Sequence, residues 1–457
     1  MSPPHCPCLM LDPFGAGGCR CCVRWGSPRP GLHPDVGAVT MLSMSPAPSD
    51  AADLAVVGAG PAGLLAAIAA AERGRRVVLL EQLPRPGVKL LATGGGRCNL
   101  THALPPDAFP ARFGRHGRFI QPALAAFGPD ALRRFLHSLG VPTAAPDGRH
   151  VFPVSDSAAD VRCALVRRAR ELGVRLRLAV TARALWIEDD VLRGLRTSRG
   201  RVAAPAVVLA TGGKGYPDLG ATGSGYALAR QAGHPIVDPT PALVPLVARE
   251  TWLRELAGIA LSPVRVRIDL AGRPRAGITG DLLFTHTGLS GPAVLDLSGD
   301  VAVLLRDRAE VPLRLDLAPA TPRAEWLARL DSWPLSGGRK AVRTLLAAHF
   351  PRALADLLCR LAGTDPAARP AQVSRPVRRT LADLFTALPL TVTDTAGWNR
   401  AMVTRGGVAL KEVDPKCLAS RLLRGLFFAG EMLDLDGPSG GFNLQWAFAS
   451  GRLAGSA

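Results

Sequence analysis

The stretch Leu54-Ala-Val-Val-Gly58-Ala-Gly60-Pro-Ala-Gly63-Leu-Leu-Ala-Ala-Ile-Ala-Ala-Ala-Glu-Arg-Gly74-Arg-Arg-Val-Val-Leu-Leu-Glu81 reads as strand, glycine turn, helix, strand and acid. Each glycine of the Gly-x-Gly-x-x-Gly turn has its own task. The first permits the tight turn, the second lets backbone approach a pyrophosphate, and the third lets helix pack closely on strand. Such a spacing alone is weak in a chain rich in glycine and alanine, but its setting makes it specific. An apolar strand precedes it, an alanine-rich helix stopped by Gly74 follows, and Val77 to Leu80 supply a second buried parallel strand. Glu81 stands 18 residues beyond Gly63, where a carboxylate can accept hydrogen bonds from the hydroxyls of an adenosine ribose. An α/β dinucleotide-binding unit is therefore expected.

The chain has 457 residues, enough for two or three domains around a large ligand. Its 47% hydrophobic and 20% charged residues are those of a folded globular protein. The longest uncharged run, Leu54 to Ala71, has the length of a membrane span, but its Gly-x-Gly-Pro turn breaks any single helix, so no membrane segment is expected. The net charge of +18 raises a nucleic-acid reading. Of the 55 basic residues, however, five are lysines and 50 are arginines, dispersed singly and in pairs without an aromatic-interleaved stripe. General basicity, rather than a polyanion site, is the expectation. Cys6, Cys8, Cys19, Cys21 and Cys22 crowd the start at irregular spacing, and Cys98, Cys163, Cys359 and Cys417 are scattered. No metal site is expected, and a reducing cytoplasm fits.

Residues 1–50 are rich in Pro, Gly, Ser and Cys and lack the pattern of a signal peptide. They read as a disordered or non-native extension, with Met41 or Met44 as the expected true start, a point that intact mass would test. Residues 51–240 form the first segment of the nucleotide domain. Within it, Lys89-Leu-Leu-Ala-Thr-Gly94-Gly95-Gly96-Arg97-Cys98-Asn99 is a loop whose bare amides can reach a second part of the dinucleotide. Cys98 reads as a small apolar residue and His102 as a hydrogen-bonded loop histidine. Helices are expected over 130–139 and 156–173, and a buried strand over 206–210 brings Ala210, Thr211 and Gly212 close to a ligand.

Between 241 and 319 the texture changes to alternation, as in Val264 to Leu270 and Val311 to Leu317, which predicts an inserted β-rich domain. There His286 is a possible acid or base, with a structural loop role the simpler expectation. Residues 320–392 read as a small helical subdomain with Trp326, Leu330, Leu346 and Phe350 at core-like spacings. Residues 393–457 return to the nucleotide site. A buried strand ends in Gly430 and Glu431, and a glycine-preceded helix start offers free amides and a positive dipole to a developing anion.

Five motifs carry a resemblance: GAGPAG at Gly58 to Gly63, KLLATGGGRCNLT at Lys89 to Thr101, FTHTGLSGPAVL at Phe284 to Leu295, GGVALKEVDP at Gly406 to Pro415, and GLFFAGEMLDLDGPSGGFNLQWAFASG at Gly425 to Gly451. Over nearly all of residues 53–457 the chain resembles the bacterial and archaeal flavoprotein family labelled NAD(P)/FAD-dependent oxidoreductase, also called the aminoacetone oxidase or bile-acid-inducible reductase-like family. The resemblance implies a glutathione-reductase-like Rossmann FAD domain built from both ends, interrupted by a β-barrel-like domain and a small helical one. It implies FAD with Gly58, Gly60, Ala62 and Gly63 at the pyrophosphate and Glu81 on the ribose. Lys89, Gly94, Gly95, Arg97, Cys98 and Asn99 would line the dinucleotide toward the flavin. Gly430 and Glu431 would meet the ribityl chain, and Gly441, Phe442, Asn443 and Leu444 the flavin ring.

The expected activity is flavin-mediated hydride transfer on a small organic substrate, with no catalytic side chain assigned. No second glycine fingerprint is present, so NAD(P)H would bind transiently as reductant. Two other readings stand beside it: an RNA-modifying flavoprotein, and a flavin-binding sensor without turnover.

Overall fold

Leu54–Val57 and Val77–Leu80 are buried at every position and pair in parallel, as aliphatic runs do when both faces of a sheet are covered. The computed structural model describes residues 51–105, 107–270, 273–274, 277–336 and 338–457. The extension and alternative starts expected in residues 1–50 lie outside them. Arg175–Arg177 joins beside Val77–Leu80, Ala206–Leu209 beside Leu54–Val57, and Leu426–Phe428 on the far edge, giving a five-stranded parallel sheet. A strand from the last part of the chain thus completes a sheet begun by the first.

The helix after the glycine turn, Pro61–Ala71, starts at Gly60 with proline in its first turn and buries Ala62 through Ala70. The helix Phe442–Ser456 lies against it at backbone contact. A Cβ added at Gly451 would stand 2.1 Å from the Ala62 carbonyl oxygen, and one at Gly455 2.1 Å from that of Ala66. Two glycines four residues apart therefore make one smooth face, and an early and a late segment of the described chain meet there. The expected helices are found as Pro129–Ser138 and Ala158–Glu171, the second capped by Ser157, whose hydroxyl accepts the Asp160 amide at 3.3 Å.

The chain leaves this layer through Ile236–Ala242 and returns through Val403–Val408, which pair antiparallel as a two-stranded neck. Between them lies a closed barrel. Ala260–Leu270 pairs with Ile278–Phe284, followed in turn by Gly288–Ser290, Leu246–Ala248, Leu388–Thr395 and Val311–Asp316, which pairs back to Ala260–Leu270. The alternation read from sequence points Val264, Val266, Ile268, Leu313 and Leu315 into its core.

The helices Arg323–Ser336, Val342–Leu346, Arg352–Leu361 and Arg375–Ala387 share that core. Trp326 meets Phe385 at 5.0 Å and Phe350 at 5.8 Å between ring centroids. One expected boundary is corrected. Position 392 falls inside strand Leu388–Thr395, whose register with Val311 to Leu315 holds it in the barrel after the helical excursion. Among the described residues no helix is long and apolar enough to cross a membrane.

Candidate active site

At the carboxyl ends of the parallel strands the glycine turn is held by specific contacts. Gly58 has φ +98° and its amide donates to Leu80 O at 2.8 Å. A Cβ there would stand 2.5 Å from the Ala210 carbonyl, so the turn can approach the neighbouring strand end only as glycine. Glu81 sits at the end of the second strand with its carboxylate accepting the Ala59 amide at 2.8 Å and the Leu83 amide at 2.9 Å. The acid at the strand end therefore shapes the turn as well as facing the crevice.

The triple-glycine loop crosses in front. Gly94, Gly95 and Gly96 all take positive φ. Lys89 reaches over to Glu431, Nζ to carboxylate oxygen 2.9 Å, with both side chains about a quarter exposed. The other Glu431 oxygen accepts the Thr404 amide at 3.0 Å. Asn99 Oδ1 is buried and has no hydrogen-bond partner within the protein.

The third wall is the segment after Leu426–Phe428. Gly430 donates its amide to Ser450 Oγ at 2.9 Å, and Trp446 Nε1 donates to Gly430 O at 3.1 Å. Asn443 folds its amide back on the preceding turn, accepting the Gly437 amide and donating to Gly437 O, both at 2.8 Å. Ser439 is tied to the helix Pro292–Leu304, its amide donating to Asp296 at 2.7 Å. Burial holds the Asp296 carboxyl above its ordinary value against that hydrogen bond.

These three segments enclose a cavity of about 420 Å³. Gly58, Gly60, Ala62, Glu81, Lys89, Gly94, Gly95, Asn99, Ala210, Thr211, Gly212, Gly430, Glu431, Gly441, Asn443 and Leu444 all line it. Gly63, Arg97, Cys98 and Phe442 do not. Gly63 lies beneath the turn, where a Cβ would meet Gly58 O at 1.8 Å, which is the helix-packing task read for it. Arg97 turns outward to Asp156 at 2.9 Å and over the Phe152 ring. Phe442 packs its ring on Phe109 and His102, away from the cavity. His286 is exposed in the turn before Gly288–Ser290 and does not line the cavity.

Cys98 is fully buried with φ +63°, and burial pushes its thiol up to about 12. A neutral thiol is a poor nucleophile. Iodoacetamide at pH 8 is expected to modify exposed Cys163 and to leave Cys98 unmodified in the native protein, as read by peptide mass mapping. Equal labelling of the two would show that the loop opens.

Sequence reasoning did not assign Tyr216, Leu243, Leu295, Met402, Val403 or Ser439, which also line the cavity. Leu243, Leu295, Met402 and Val403 arrive from the neck and the barrel, and of the six only Leu295 and Ser439 belong to a quoted motif.

The HI0933-like protein Rossmann domain family matches residues 52–457. The 3-dehydro-bile acid delta(4,6)-reductase of Clostridium scindens is 35% identical over 88% of this chain and 98% of its own length. The ribosomal RNA dihydrouridine synthase of Escherichia coli is 30% identical over 87% of this chain and 96% of its own length. That of Haemophilus influenzae is 30% identical over 86% and 95%. A glycine-walled cavity at the strand ends and a family match across nearly the whole described chain agree: the protein belongs to the HI0933-like Rossmann family and is an FAD-dependent oxidoreductase.

Proposed function

We propose that the protein reduces a carbon–carbon double bond conjugated to a carbonyl, with NADH or NADPH as the source of hydride. The names of the relatives support this. A bile acid delta(4,6)-reductase and a dihydrouridine synthase both saturate an alkene next to a carbonyl, although their substrates differ greatly in size and polarity. The net change is balanced by one hydride from the nicotinamide and one proton from solvent. Two C–H bonds form, the C=C becomes C–C, and NAD(P)+ is released.

The residues fit FAD, and the observation that carries the fit is a glycine cradle. Gly60, Gly95 and Gly212 line the cavity, and a Cβ on any of them would meet nothing within 4 Å. Backbone is thereby left bare on three sides for a large ligand. The unpartnered Asn99 Oδ1 is a polar group that such a ligand would satisfy. When bound, FAD supplies the hydride chemistry.

In this reading Gly58, Gly60 and Ala62 hold the pyrophosphate, and Glu81 the adenosine ribose. The Lys89–Glu431 pair flanks the ribityl chain. The amides of Gly441, Phe442 and Asn443, at the start of a 15-residue helix, stabilise negative charge at the flavin ring. Anaerobic mixing of the purified yellow protein with each nicotinamide tests the proposal. Bleaching of the flavin absorbance by one of them, followed by its return on adding an enone, is the expected result. A protein that takes up no FAD, or one whose flavin neither nicotinamide reduces, would sink it.

The dihydrouridine synthase relatives, together with the charge of +18, favour a second reading in which the alkene is a uracil within RNA. Its signature would be RNA binding that weakens steeply with salt.

A further inference from the structure

The cavity has one end that differs from the rest. Where the neck enters the barrel, it is walled by Leu243, Leu295, Met402 and Val403, with Leu295 next in sequence to the Asp296 that holds Ser439. Leu243, Leu295 and Val403, with Ala242, form an apolar cluster of their own, separate from both large cores. Met402 is 45% exposed at its edge, a large apolar side chain left open.

This wall is held in place by the backbone. Leu243 has φ +47°, a left-handed conformation that leucine rarely adopts and that persists only when its surroundings fix it. Three contacts do so. The Met402 amide donates to Leu243 O at 3.2 Å. The fully buried Ser298 hydroxyl accepts the Val244 amide at 3.1 Å and donates to Leu295 O at 2.7 Å. One hydroxyl thus sets the spacing between the strained residue and the barrel helix.

Charge narrows what can sit there. The charged residues lining the cavity, among those described, are Glu81, Lys89 and Glu431. Lys89 and Glu431 neutralise each other, and Glu81 is engaged by two backbone amides. Among the described residues no arginine lines it. A carboxylate or phosphate entering this end would shed its hydration against four uncharged apolar side chains, whereas hydrocarbon would gain contact with them.

We infer that Leu243, Leu295, Met402 and Val403 form the substrate seat and select an uncharged, largely hydrocarbon enone rather than a dicarboxylate or a nucleotide. The inference rests on the alkene-reduction reading of the same cavity. The test is titration of the FAD-loaded protein with 4-androstene-3,17-dione, with fumarate and with a uridine oligonucleotide, following the flavin absorption bands. The steroid is expected to perturb them saturably, and fumarate and the oligonucleotide to leave them unchanged. Val403→Asp is expected to weaken steroid binding tenfold or more at unchanged flavin content. Met402→Gln, at the exposed edge, should weaken it severalfold and covers the case in which Val403→Asp does not fold. Perturbation by fumarate or the oligonucleotide without any by the steroid overturns the inference, as does full steroid affinity in both variants. Reoxidation separates the two levels: a steroid that binds as expected but leaves the reduced flavin bleached refutes alkene reduction and leaves the seat standing.

Discussion

Gly451→Val is expected to lower thermal stability by several degrees and to strip the protein of FAD during purification. The added Cβ would stand 2.1 Å from Ala62 O, 2.8 Å from Ala62 C and 2.9 Å from Ala62 Cα. All three are backbone atoms of a helix pinned to the sheet, so no side chain can swing aside. Overpacking a core costs about 1–3 kcal/mol when neighbours adjust, and here the helices themselves must separate. Ala62 lines the cavity, as do Gly430, Trp446 and Ala447 on the other side of the contact. Separation of the helices therefore widens the cavity along its length. A melting curve and a flavin-to-protein absorbance ratio measure both effects. A variant that melts with the parent and stays yellow would show that this contact does not close the site.

Glu81→Ala is expected to weaken FAD binding roughly ten- to a hundredfold, from a loss of about 1.5–3 kcal/mol for a hydrogen bond to a charged group. Two losses combine in this variant. The carboxylate is withdrawn from the ribose position, and the Ala59 and Leu83 amides lose their acceptor, so the glycine turn is less well ordered before any ligand arrives. Glu81→Gln keeps one acceptor oxygen and should fall between. Titration of the apoprotein with FAD, followed by quenching of flavin fluorescence, gives the affinities. Parental affinity in Glu81→Ala would remove the ribose from this position.

The first layer of the fold was legible because its constraints are local. Gly63, where a Cβ would stand 1.8 Å from Gly58 O, announces itself within six residues of sequence. The acid at the strand end does the same. Motif membership, by contrast, says nothing about which way a side chain points. Arg97, Cys98 and Phe442 stand inside the most specific motifs, yet one pairs with Asp156 at the surface and the other two are buried away from the cavity.

The apolar seat was not legible at all. Leu243 and Met402 lie far apart in sequence, and they meet because the two neck strands pair before entering the barrel. Strand Leu388–Thr395 escaped for the same reason: its partners, Leu246 to Ala248 and Val311 to Leu315, precede a long helical excursion. Local pattern could not assign it to them.

The Lys89–Glu431 pair and the Gly451 contact also set an order of events during synthesis. Residues 54–209 can emerge from the ribosome with their glycine turn in place, and the barrel can close once Thr395 has followed. Neither is enough to complete the cavity, since Gly430, Glu431, Gly441 and Trp446, which line it, are still to be made. A chain that stops short of Gly430 lacks that wall, so the cavity is complete only once residues 430–447 have been made.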